Sequence, residues 1–142
     1  MEELELVVGV SNALITIDVI LFAIIIIWIV TTVVQSFRRK KYSTVLEEEA
    51  FTEGMRKAQV IDLREKNDFD KGHILGARSV PYSMLKQRYA EIRKDLPVYL
   101  YDQGMSMSTR AAASLGKQGY QDIYILKNGY ARWTGKTKAK KY

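Results

Sequence analysis

The polar and apolar positions divide the chain near Arg38 into two unlike parts. From Ala13 to Val34 the sequence reads ALITIDVILFAIIIIWIVTTVV, 22 residues with Asp18 as the one charge. A helix of that length covers the ~30 Å hydrocarbon layer of a bilayer. The Ile and Val content does not argue for a strand, because within lipid a single segment satisfies all its backbone groups only as a helix. The alternative for such a run is a buried helix of a soluble protein. A cleaved signal peptide fits poorly: the N-terminus is acidic, the run is long, and no small-residue cleavage site precedes Arg38.

Beyond residue 42 apolar and polar stretches alternate at shorter spacing. Glu47 to Lys57 predicts a helix, with Phe51 and Met55 four apart and acids in its first turn. Gln59–Leu63 predicts a buried parallel strand, and Ala77–Val80 a second one closed by Pro81. Ser83 is expected to cap a helix reaching about Lys94 that carries Met84, Leu85, Tyr89 and Ile92. Val98–Tyr101 predicts a third strand. A helix of small residues follows, with Ser108 near its start and Gly119 at its stop. Asp122–Leu126 predicts the fourth strand, and Asn128-Gly129 a turn before Tyr130 and Trp133. Strands alternating with helices point to an α/β domain, a small parallel sheet with helices on both faces. The expected organisation is an N-terminal tail (1–12), a transmembrane helix (13–34), a basic linker (35–42), one domain (43–134) and a basic disordered tail (135–142).

Charge adds a direction. Glu2, Glu3, Glu5 and Asp18 are the only charged side chains before Arg38, so of the net +6 the first 37 residues carry about −4 and the remainder about +10. Arg38, Arg39, Lys40 and Lys41 directly follow the apolar run, and no Lys or Arg precedes it. The positive-inside rule then places the N-terminus outside a cell membrane and the domain in the cytoplasm, as suits a bacterial inner or plasma membrane. The basic excess favours anionic lipid as a partner, with no nucleic acid expected. Asp18, about one turn inside the outer end, is a partner-helix candidate or a partly hydrated residue.

Composition excludes more than it proposes. The 142 residues contain no cysteine and one histidine, His73. Disulfides, thiolate metal sites and cysteine nucleophiles are ruled out, and no multi-histidine metal site forms within one chain. Neither a P-loop nor a dinucleotide glycine pattern occurs, and no cofactor is expected.

Three phrases together resemble a rhodanese (sulfurtransferase-like) domain. They are IDLREKNDFDKGHILGARSVPY (Ile61 to Tyr82), VYLYDQGMSMSTRAAASL from Val98, and ILKNGYARW (Ile125 to Trp133), with Asn128 standing for a family glycine. The match covers about Ser43 to Thr134. The resemblance implies that His73 is structural, tied to neighbouring backbone or to the acid of the preceding strand, and that Asp62 and Arg64 form a framework pair. Rhodaneses carry Cys-x-x-Gly-x-Arg between the central strand and a helix, where backbone N–H groups cradle an anionic persulfide. In that frame Asp102 stands at the nucleophile position and Met107 at the arginine position, and the glycine is displaced to Gly104.

A carboxylate cannot form a persulfide. Aspartate can accept phosphoryl groups, but such sites recruit Mg²⁺ with further carboxylates, and none is evident near this loop. The expectation is that the Asp102 carboxylate itself fills the cradle, with no catalytic residue and no metal ligand in the site. The loop Asp102, Gln103, Gly104, Met105, Ser106, Met107 and Ser108 then becomes a candidate binding surface for a protein partner, with Met105 and Met107 as soft apolar contacts. Two rivals stand beside this. One is an enzyme of sulfur or phosphoryl transfer using Asp102 or a partner's thiol. The other is a module that only anchors a membrane complex through its helix.

Overall fold

A computed structural model describes residues 1–141, including all side chains except those of Arg38 and Arg39. The chain forms two compact units, Met1–Ser36 and Phe37–Tyr142. Helix α1 (Glu2–Tyr42) supplies the whole of the first. It is long and apolar enough to cross a membrane, and none of its apolar window is buried. The hydroxyls in the apolar run bond back to their own helix, Thr16 to the Asn12 carbonyl and Thr31 and Thr32 to that of Trp28, each at 2.8 Å. No hydroxyl in that run is left to seek a partner in an apolar surrounding. Residues 35–42, expected as a linker, continue the helix.

The second unit is a five-stranded parallel sheet. In chain order its strands are β1 (Thr44–Leu46), β2 (Gln59–Asp62), β4 (Arg78–Ser79), β5 (Val98–Tyr101) and β6 (Ile123–Leu126), arranged β1-β6-β5-β2-β4. Helices α2 (Glu48–Gly54), α3 (Lys66–Lys71) and α4 (Ser106–Lys117) complete it, with a small antiparallel pair, β3 (His73–Ile74) and β7 (Thr137–Lys138).

The period of two along the strands sorts the core into two layers. Val98 and Leu100 of β5, with Ile61, Ile123 and Ile125, pack against Ala111, Ala112 and Leu115 of α4. Their alternates Tyr99 and Tyr101, with Val60 and Leu126, pack with Phe51 of α2, Tyr130 and Trp133. All four residues of β5 are buried, as expected of a central parallel strand. Helix α4 stops in a Schellman arrangement: Tyr120 N–H donates to Leu115 O (3.2 Å), Gly119 N–H donates to Gly116 O (3.2 Å), and Gly119 has φ +95°.

Three expectations change. The helix expected from Ser83 to Lys94 is instead two 3₁₀ turns, Tyr82–Gln87 and Tyr89–Glu91. The Ser83 hydroxyl donates to Glu65 (3.0 Å) and caps nothing, while Leu85 and Ile92 reach the same core layer from separate turns. Met84, one of the apolar residues of that expected helix, is exposed. The tail expected to be disordered is tied down in part. Thr137–Lys138 pairs with β3, the Lys140 N–H donates to Asp70 O, and Glu48 accepts bonds from the Thr134 and Gly135 N–H groups. Two short strands, β1 and β3, carry too few residues to announce themselves by alternation.

Candidate functional site

In a parallel sheet the loops leaving the strands share one edge, and the candidate loop leaves the central strand there. Its Asp102 follows β5 directly and is buried. The carboxylate reaches over the first turn of α4: Oδ2 accepts the Met107 N–H at 3.2 Å, and Oδ1 accepts the Ser108 N–H at 3.3 Å and the Ser108 hydroxyl. Two of the four amides that a helix start leaves without internal partners are thereby satisfied by an acid at the positive end of the dipole. The cradle expected around an anion is filled by the chain's own carboxylate.

The rest of the loop divides by exposure. Gln103, Gly104, Ser106 and Met107 are exposed, while Ser108 is buried beneath Asp102. Met105, expected as a contact residue, is half-buried and packs into the core layer under α4. Its carbonyl accepts the Thr109 side-chain hydroxyl at 2.8 Å. Met107, 42% exposed, is the apolar group the loop presents. Among the described residues, no group of three His, Cys, Asp or Glu is placed to hold a metal ion.

What holds the loop lies partly in a segment that carried no functional expectation. The Tyr130 N–H donates to Asp102 O (2.8 Å) and the Ala131 N–H to Gln103 O (3.1 Å). This approach requires Gly129. A Cβ there would sit 2.2 Å from Gly104 O and 2.5 Å from Asp102 O, and its φ is +60°. Asn128 precedes it at φ +63°, a conformation asparagine tolerates better than most residues. The Asn-Gly pair was the only sequence signal for this clamp.

Beside the loop stands a buried network. Arg64 makes a fork to Asp62, Nε to Oδ1 at 3.1 Å and Nη2 to Oδ2 at 2.8 Å, and Nη2 also donates to Gly72 O at 2.7 Å. The guanidinium lies 4.1 Å from the Tyr130 ring centroid. Burial pulls the Arg64 pKa down, but the hydrogen bond and charge of Asp62 outweigh it and raise the pKa. Asp62 and Arg64 are thus engaged with each other and with backbone. His73 stacks on Phe69 with 3.7 Å between ring centroids, and its Nδ1 lies 2.8 Å from Phe69 O. It is tied to neighbouring backbone and not to the acid of β2. Gly72 has an extended backbone (φ 167°), and its smallness matters because a Cβ would lie 2.8 Å from the Tyr130 hydroxyl oxygen. Gly76, at φ +92°, lies in the glycine-favoured region.

Tyr101 closes the network, its hydroxyl accepting the Ile74 N–H at 3.1 Å. Burial above all, and then the charge and hydrogen bond of Asp62, push its pKa far above the ordinary tyrosine value. Burial raises Tyr99 and Tyr120 in the same direction. A folded-state pKa above the unfolded value stabilises below the unfolded value and loses that contribution as pH rises toward the folded one. Stability should therefore hold to about pH 10 and fall above it. Urea titrations between neutral pH and pH 11 should show this, with a shallower alkaline decline for Tyr101→Phe.

The Asp102 cap predicts a second substitution effect. Asp102→Ala leaves the buried Ser108 hydroxyl and two amides without their acceptor, a loss of about 1–3 kcal/mol. Asp102→Asn keeps an acceptor oxygen and should lose much less. Urea midpoints of the two variants check this ordering.

Comparison with known proteins agrees with the architecture. The family model described as "Rhodanese-like domain" matches residues 47–136. The YqhL protein of Bacillus subtilis is 53% identical over 122 residues, covering 86% of this chain and 94% of its own. A thiosulfate sulfurtransferase, GlpE of Shewanella oneidensis, is 32% identical over 75 residues, 53% of this chain and 74% of that protein. Among solved structures, a rhodanese-like domain protein from Staphylococcus aureus superimposes with a TM-score of 0.63 at 16% identity, covering 69% of this chain and 99% of that one, a likeness of fold. With the strand, cradle loop and helix in place around Asp102, the chain belongs to the rhodanese-like domain family.

Proposed function

We propose that this protein is a membrane-anchored rhodanese-like module that binds a protein partner at its altered active-site loop and does not transfer sulfur. The observation that carries the proposal is the Asp102 carboxylate in the amide cradle at the start of α4. A resident negative charge there repels an anionic sulfur donor, and with no cysteine in the chain there is no thiol to carry sulfur. A carboxylate already accepting three hydrogen bonds is also a poor phosphoryl acceptor, which disfavours the enzymatic rival. Helix α1 serves as the anchor, and the basic run after it directs the domain to the cytoplasm.

Partner capture tests the reading. The full chain, carrying a photo-crosslinking residue at Met107, should trap a specific protein in membranes. The same residue at exposed Lys86, outside residues 102–108, should not. Equal trapping at both positions, or trapping only from α1, would favour a role for the helix alone.

A further inference from the structure

The edge of the sheet opposite the candidate loop has a different character. Segments entering the strands meet there and are stitched together: the Gln59 side chain binds the Arg93 backbone, the Gln59 N–H donates to Pro97 O at 3.0 Å, and the Val98 N–H donates to Asp122 O at 2.7 Å. The chain enters the sheet at this edge too, because β1 follows Tyr42, whose ring packs so close to Gly116 that a Cβ there would lie 2.3 Å from it. These entering segments carry Lys41, Arg56, Lys57, Lys94 and Lys117, all exposed. Among the described residues, Arg56, Lys57, Lys94 and Lys117 have no ion-pair partner. The acids nearby are fewer: Glu53, Asp122, and Asp95, which is held by Arg93.

An apolar groove opens beside this collar. It is a cavity of about 410 Å³ in which Met55, Leu75 and Trp133 meet Arg56 and Lys136. Leu75 is 45% exposed, although it directly follows the buried strand β3. Gly135 lies against the indole so closely that a Cβ would sit 2.4 Å from the ring, which keeps one wall of the groove thin. Arg56 joins the collar to the groove, and its unpaired cation beside the half-buried Trp133 indole and the exposed Leu75 matches the interfacial zone of an anionic bilayer, where headgroups meet cations and the first acyl carbons meet apolar side chains.

We infer that this collar and the groove beside it dock on anionic lipid headgroups, with Trp133 and Leu75 at the acyl boundary. The inference rests on the reading of α1 as a membrane anchor and adds a lipid-binding surface to it.

The experiment uses the full chain with Trp28→Phe, which leaves Trp133 as the only tryptophan. It is reconstituted into vesicles of phosphatidylcholine alone, or of phosphatidylcholine with phosphatidylglycerol, each with brominated acyl chains. Docking predicts a blue-shifted and quenched Trp133 emission in the anionic vesicles only. The effect should disappear when Arg56, Lys57, Lys94 and Lys117 are all changed to glutamate, or for the unaltered chain near 1 M salt, where the screening length falls to ~3 Å. Trp133 emission identical in both vesicle types would overturn the inference. So would a shift that needs added membrane protein, which assigns the groove to a protein partner. Flotation separates the two readings. Chain that floats with the vesicles while Trp133 stays in water overturns the docking edge alone, and chain that fails to float overturns the anchor and the docking edge together.

Discussion

Replacing Arg64 with alanine should destabilise the domain by about 3–5 kcal/mol, because it strands a buried charge. Asp62 is fully buried and Arg64 is 7% exposed, so water cannot replace the lost guanidinium. The same change removes the donor to Gly72 O and the cation over Tyr130, loosening the turn that holds His73. Against a typical domain stability of about 5–15 kcal/mol, that loss leaves little margin. Arg64→Lys keeps the charge but not the planar fork, and should fall between alanine and wild type. Denaturant titration of the three proteins, followed by far-ultraviolet circular dichroism, measures the order. Equal stability of Arg64→Ala and wild type would show that the pair does not hold the domain together.

Gly129→Ala is expected to be comparably severe, and it acts on the candidate site directly. The added methyl group meets the carbonyls of Gly104 and Asp102 at distances no real Cβ keeps, in a backbone region that already disfavours L side chains. Overpacking costs typically about 1–3 kcal/mol, and an unfavourable backbone conformation about 1–3 kcal/mol more. Relief requires the loop to retreat, breaking the bonds from Tyr130 and Ala131 that fix it. Hydrogen exchange should therefore rise in residues 102–108 more than in β2. A uniform rise across the domain would mean that Gly129 supports the fold at large and not the loop.

Much of this architecture was legible in the residues. The strands β2, β5 and β6 are short apolar runs with clear boundaries, and helix α4 announces itself by small residues and a stopping glycine. The Asp102 cap followed from placing a carboxylate where the family holds an anion. Other features depended on partners distant in sequence. Ser83 looked like a helix cap because its preference for helix starts is local, yet Glu65 takes its hydroxyl. Met105 looked like a surface residue because loops are exposed on average, but the turn into α4 aims it at the core. The tail looked disordered from its lysines, since its pairing with a two-residue strand left no trace in hydrophobic pattern. The clamp from residues 129–131 onto the loop was hidden for a similar reason, being made of backbone hydrogen bonds that no side chain reports.

The most direct test of the central claim is a thiosulfate:cyanide assay of the purified full chain in neutral detergent, beside Asp102→Asn. No thiocyanate above the protein-free background is expected for either protein. Thiocyanate formed by the wild type above that background would contradict the claim, and its loss in Asp102→Asn would assign the activity to the carboxylate.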